Sequence, residues 1–235
     1  MKTDSISVVI PAFNEEETIK DVVRDATLIL KKLKVDYEIV LVNDGSTDNT
    51  GKIIDKLAHS KKVFAHHHKK NKGFTGAMKT AFASAHKHWI FLAPADGQFD
   101  FSELPKFIEA IRGHDVATGY RVSNEERVSR KIKAIIFHLP YLFLNRKLLR
   151  INLREFSTVS LWRERVVQSI EIESEDRSAM FLPEVISKAM KQKYSFVEVP
   201  INWRGRKGGK AKGTSLLVAI KSLFGILRLW YTIQK

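Results

Sequence analysis

Three apolar runs of strand length end in the same way, and nothing else in the chain restricts its fold as much. Ile6-Ser7-Val8-Val9-Ile10 stops at Pro11-Ala12-Phe13-Asn14-Glu15, Tyr37-Glu38-Ile39-Val40-Leu41-Val42 stops at Asn43-Asp44-Gly45, and Trp89-Ile90-Phe91-Leu92-Ala93 stops at Pro94-Ala95-Asp96-Gly97-Gln98. Short apolar runs bounded by turn residues read as strands buried on both faces, the pattern of a parallel sheet covered by helices. In open α/β sheets ligands sit outside the carboxyl ends of the strands, so polar groups gathered there face whatever is bound. Asp and Gly are also ordinary turn formers, and the stretch from Asp96 to Asp100 reads as well as a cap for the helix that begins near Ser102.

Between these strands the pattern turns helical. Asn14 is the expected N-cap for a helix that opens with Glu15-Glu16-Glu17 and runs to about Leu33. A second helix surrounds Ile53, Ile54 and Leu57, a short strand covers Val63 to His67, and Asn71-Lys72-Gly73-Phe74-Thr75-Gly76 opens a helix lined by Ala77, Ala81 and Ala85. Leu104 to Ile111 is helical, and Asp115 to Gly119 is a strand ending at Tyr120-Arg121. This βαβα rhythm predicts an α/β fold with a mostly parallel, Rossmann-like sheet flanked by helices. At 235 residues, 44% hydrophobic and 28% charged, the chain can bury one substantial core.

The absence of cysteine excludes disulfides and thiolate chemistry. No secretory pattern precedes Ile6, so the expected location is the cytoplasm. A formal charge of +14 calls for an anionic partner: nucleic acid, a phosphorylated small molecule or an anionic membrane surface.

The second half is more basic. Asn124 to Lys133 is a polar, cationic loop. Ile132 to Leu149 and Leu216 to Trp230 are apolar but interrupted by charges, and neither supplies the roughly 20 apolar residues of a spanning helix. Both fit helices lying in the headgroup plane, the alternative being ordinary amphipathic helices packed on the core. Phe181 to Lys191 is a further helix, and Tyr194 to Val199 is a strand leading to Pro200-Ile201-Asn202-Trp203. Beyond it Arg204, Arg206, Lys207, Lys210 and Lys212 alternate with Gly205, Gly208, Gly209 and Gly213, which reads as a cationic flap, a solvated charge run or an RNA-binding tail. In His66-His67-His68 the first and third share a strand face, yet no third metal ligand is locatable, and a polar strand end accounts for the run.

Six segments in order, VVIPAFNEEETI, EIVLVNDGSTDNT, NKGFTGAMKTAF, ADGQF, ATGYR and VEVPINWRGRKGGKAK, span almost the whole chain. Together they resemble the family-2 glycosyltransferases of GT-A fold, and within them the polyprenol-phosphate glycosyltransferases typified by dolichol-phosphate mannosyltransferase. The resemblance implies that Pro11, Phe13, Glu15 and Gly73 belong to the nucleotide pocket and that Asp44 reaches the base or ribose. It implies that Asp96 and Gln98 hold Mg²⁺ or Mn²⁺ on the diphosphate, that Arg121 lies near the phosphates, and that Arg206 and Lys212 bind phosphate in a loop closing over donor and acceptor. Glu184 matches a family glutamate near the active site. The implied reaction is inverting transfer of a mannose- or glucose-type sugar from a GDP- or UDP-linked donor to polyprenyl phosphate, on the cytoplasmic face of a membrane and without nucleic acid. Residues 1–213 would form the catalytic domain and residues 214–235 a C-terminal amphipathic helix at the membrane interface.

Three departures stand out. Pro94 occupies the place of the first Asp of the usual Asp-X-Asp, Asn43-Asp44 replaces Asp-Asp, and Glu155 stands near where an Asp is common. A different enzyme reading, transfer to a glycan or glycolipid hydroxyl, needs a carboxylate base, for which Glu155 and Glu184 are candidates. A nucleic-acid-binding protein would explain the charge but not polar, largely acidic clusters at three strand ends.

Overall fold

A computed structural model describes residues 5–122, 139–155, 159–175, 180–205 and 224–232. In chain order the elements are β1 (Ser5–Ala12), α1 (Ile19–Leu33), β2 (Asp36–Asn43), α2 (Thr50–Leu57), β3 (Val63–His67), α3 (Gly73–Ala83) and β4 (Trp89–Leu92). A 3₁₀ turn (Phe101–Glu103) then runs into α4 (Leu104–Ala110), followed by β5 (Val116–Arg121), α5 (Leu139–Leu148), β6 (Ser160–Arg163), α6 (Glu164–Gln168), α7 (Phe181–Lys191) and β7 (Phe196–Ile201). Residues 224–232 form a last helix, α8.

The strands make one seven-stranded sheet in the order β3-β2-β1-β4-β6-β5-β7. β1 pairs in parallel with β2 and β4, β2 with β3, and β5 with β7, whereas β6 runs antiparallel between β4 and β5. Alternation along each strand splits the core in two. Ile6, Val8, Ile10, Ile39, Leu41 and Phe91 face the layer covered by α1, while Val9, Val40, Val42, Ile90 and Leu92 face the layer of α3 and α7. α1 meets the first layer along Ile19, Val22, Val23, Ala26 and Leu30, a single helical stripe.

One expectation fails locally. Asn14 does not cap α1, which begins after Thr18. Asn14 takes a left-handed φ of 52°, its N–H donates to Ser46 Oγ at 3.0 Å, and its Oδ1 accepts from the Thr47 N–H at 2.8 Å. The loop after β1 is thereby laced to the loop after β2, and this tertiary use outcompetes local capping. The antiparallel β6 is also unforeseen, because its four residues lie in a polar stretch without a visible run.

The apolar tail splits its faces. Ile226 and Leu229 are buried in the α3–α7 layer and Gly225 packs against Met180, while Phe224, Leu227, Trp230 and Tyr231 stay exposed. Among the described residues no helix is long and apolar enough to cross a membrane. The expected division at residue 213, the basic loop around 124–133 and most of the 204–213 segment lie outside the described residues.

Candidate active site

At β1 the chain order reverses, with β2 and β3 on one side and β4, β6, β5 and β7 on the other. A crevice outside the carboxyl ends of the strands follows from such a reversal. A cleft of about 280 Å³ lies there, combining Pro11 from β1, Pro94, Asp96 and Gln98 from beyond β4, and Arg121 from β5. Residues predicted from three separate strand ends thus share one wall. Phe74 at the start of α3 and Trp203 after β7 complete it. Sequence reasoning left both without a role; the signal was an aromatic residue directly beside a strand end or a cationic segment.

The acidic turn caps the element that follows it and also lines the cleft. Gly97, at φ 72°, lets the chain fold back so that the Gln98 N–H donates to Asp96 Oδ1 at 3.1 Å. Asp100, not Asp96, caps the following 3₁₀ turn by accepting the Ser102 N–H at 3.0 Å, which leaves Asp96 and Gln98 on the cleft. From the other side the Thr18 hydroxyl donates to the Ala95 carbonyl at 2.8 Å.

The root of the cationic segment is stitched to this turn. The Arg204 N–H donates to the Gln98 carbonyl at 3.0 Å, Gln98 Nε2 donates to the Arg204 carbonyl at 3.2 Å, Phe99 bridges to Trp203, and the Arg204 guanidinium pairs with Asp100. Arg206 and Lys212 themselves lie outside the described residues. For a divalent cation the turn offers the Asp96 carboxylate and the Gln98 amide oxygen, while Pro94 adds no ligand. Among the described residues no three His, Cys, Asp or Glu side chains gather as a metal group. Hard oxygen donors in so small a number suit Mg²⁺ or Mn²⁺, which keep water and phosphate oxygens as further ligands.

Arg121 is held, not loose. Its N–H donates to Glu155 Oε2 at 3.0 Å, Nη2 lies 2.5 Å from Glu155 Oε1, and the guanidinium sits 5.9 Å from the Trp203 ring centre. Glu155 is nearly buried and the Arg121 side chain is 37% exposed, so the guanidinium is oriented from within the protein.

The other residues implied for the nucleotide pocket lie around the cleft and not in its wall. Phe13 is half-buried on the loop after β1. The Glu15 N–H donates to Thr50 Oγ1 at 2.8 Å, and its carboxylate lies 3.3 Å from the Thr18 hydroxyl oxygen, whose proton goes to Ala95. Asp44 is 3% exposed and accepts from the N–H groups of Lys72 and Gly73, both at 2.8 Å, so it reaches the cleft through the turn it fixes. Gly73 meets that carboxylate at φ 76°, a conformation that a side chain would strain.

Glu184 is fully buried in α7 and holds a different loop. It accepts from the N–H groups of Glu173 and Ser174 at 2.8 and 2.9 Å and from Lys188 Nζ at 2.7 Å. Burial opposes its charge, but Lys188, Ser174 and the backbone donors together keep its carboxyl below the ordinary range.

Residues 7–170 match the family model described as Glycosyl transferase family 2. A glycosyltransferase AglD from Haloferax volcanii is 27% identical over 236 residues, covering 96% of this chain and 37% of that protein. An undecaprenyl-phosphate 4-deoxy-4-formamido-L-arabinose transferase from Pseudomonas fluorescens is 30% identical over 137 residues, covering 57% of this chain and 40% of that protein. The chain therefore spans well under half the length of these curated relatives. Glucosyl-3-phosphoglycerate synthase from Mycobacterium tuberculosis, solved with Mn²⁺, UDP-glucose and phosphoglyceric acid, superposes with a TM-score of 0.73 at 16% identity, covering 97% of this chain and 80% of that one. The same synthase has been solved with Mg²⁺ and UDP, at a TM-score of 0.70 and 17% identity, covering 97% of this chain and 80% of that one. At that identity the likeness carries the fold alone.

Proposed function

Because this chain belongs to glycosyl transferase family 2, we propose that it moves a hexose from a nucleotide-sugar, GDP- or UDP-linked, to a polyprenyl phosphate with inversion. The observation that carries the reading is the single cleft in which Asp96 and Gln98 meet Arg121, with the root of the cationic segment bonded to the same turn. The family relatives that bear undecaprenyl-phosphate in their name support a lipid-phosphate acceptor. A divalent cation, held by Asp96 and Gln98, would neutralise charge on the departing diphosphate.

The chain's own groups account for the rest. Arg121, oriented by Glu155, stabilises negative charge where the bond between the anomeric carbon and the diphosphate oxygen breaks, and the diphosphate leaves with the electron pair. A phosphate oxygen of the acceptor forms the new bond on the opposite face. We assign Arg206 and Lys212 to the phosphates of donor and acceptor on the resemblance of the sequence around them. A phosphate monoester is already anionic at neutral pH, so no general base is required. Glu155 and Glu184, the two candidate bases for a hydroxyl acceptor, are engaged with Arg121 and with the 173–174 loop. The exposed Phe224, Leu227, Trp230 and Tyr231 on α8, in a chain of net charge +14, suit peripheral contact with an anionic membrane on the side that supplies the lipid.

The test compares acceptors. With GDP-mannose and UDP-glucose as donors and Mn²⁺ present, polyprenyl phosphate is glycosylated and the matching polyprenol is not. Equal use of the free alcohol rejects the phosphate nucleophile and moves the reading to a hydroxyl acceptor.

A further inference from the structure

Behind the cleft stands a histidine that the proposed transfer does not use. The His68 side chain is 7% exposed; Nδ1 lies 2.7 Å from Asp44 Oδ1 and Nε2 lies 2.8 Å from Thr80 Oγ1. A carboxylate only accepts, so Nδ1 carries a proton and donates it to Asp44. The Thr80 hydroxyl sits between Nε2 and the Gly76 carbonyl, 3.3 Å away, and can serve either.

His68 is therefore the third donor on one buried carboxylate. It shares Oδ1 with the Lys72 N–H, and the Gly73 N–H takes Oδ2. Asn71 Nδ2 donates to the Asp44 carbonyl at 3.1 Å, and the His68 N–H donates to the Asn43 carbonyl at 2.9 Å. Gly45, at φ 68°, brings the two loops so close that a Cβ there would stand 2.6 Å from the Asn71 nitrogen. The loop after β2 and the turn into α3 thus behave as one body with Asp44 at its centre. Phe74, the next residue along, is 43% exposed and forms part of the cleft wall.

We propose that His68 is a positioning residue for the donor site: by fixing the Asp44 carboxylate from behind, it sets the Asn71–Gly73 turn and, through it, the Phe74 wall. The proposal rests on the donor-cleft reading given above. Hydrogen bonds to a buried charge are the strong ones, and losing one loosens everything else the carboxylate holds. In the same run both His68 nitrogens are used, and His67 faces Asn43 and Asp55.

Three full-length variants separate positioning from packing. In H68N the amide nitrogen overlays Nδ1 and reaches Asp44; in H68Q it overlays Nε2 and reaches Thr80; H68L reaches neither. Hydrogen exchange of the segment covering residues 69–76 is measured without nucleotide, and binding of Mn²⁺-UDP and Mn²⁺-GDP is measured by titration. H68L and H68Q should exchange faster by about tenfold or more and bind the preferred nucleotide at least about tenfold more weakly, the scale of one charge-assisted hydrogen bond. H68N should restore most of both. H68Q matching the wild type, H68N failing as badly as H68L, or faster exchange with unchanged nucleotide binding each overturns the proposal. If the wild-type chain binds neither nucleotide, the donor reading falls, and the exchange comparison still decides whether His68 holds the loop.

Discussion

Asp44 and Asp96 end two parallel strands on the same edge of the sheet, and the fold spends them in opposite ways. Asp44 is buried beneath three converging donors, His68 and two backbone N–H groups, and works inward. Asp96 is half-buried on a glycine turn and forms part of the cleft. The lesson is that a carboxylate at a strand end is buried scaffold or part of an open wall according to how many backbone donors the neighbouring loop delivers to it. Glu184 belongs with Asp44, since two N–H groups and Lys188 converge on it.

The contrast is sharpest in stability. Asp44→Ala strands three buried donors and should cost about 3–5 kcal/mol, the range for removing one partner of a buried charged network; urea unfolding would show it, and a loss below about 1 kcal/mol would mean that the loop repacks. Asp96→Ala should do the reverse, lowering sugar transfer about 10²- to 10³-fold with a midpoint of unfolding near the wild-type value, as expected for a part-exposed side chain. Comparable destabilisation by both would erase the distinction. Glu184→Gln should cost about 1–3 kcal/mol at pH 7. Because the folded carboxyl is held below its usual range, its stabilisation is fully present above the unfolded pKa of about 4.3 and fades as pH falls through the lower folded value. The gap between wild type and E184Q should therefore be constant from pH 7 to about 5 and narrow below about 4; a gap that widened in acid would reverse the assignment.

Much of this was legible before any coordinates. β1, β2 and β4 announce themselves because both faces of each are buried, and the polar clusters that end them meet at one edge as topology requires. Pro11, Asp96, Gln98 and Arg121 come together for that reason. What stayed hidden depends on partners distant in sequence. Asn14 looks like a cap until Ser46 and Thr47 claim it, and nothing in the sequence pairs Glu155 with Arg121, 34 residues away. Trp203 acquires a role only because β7 lies beside β5 and delivers it to the acidic turn through Phe99. β6 is too short to produce a period, and its antiparallel direction follows from where the chain returns.

That reversed strand sets a dimension. Leu92 on β4 and Thr118 on β5 both pair with Ser160 on β6, so the turn carrying Asp96 and the strand carrying Arg121 stand on opposite banks of an inserted strand. Their backbones are two strand spacings apart, roughly 10 Å. Asp96 and Arg121 line one cleft all the same, so the inserted strand sets the gap that side chains from the two banks have to close.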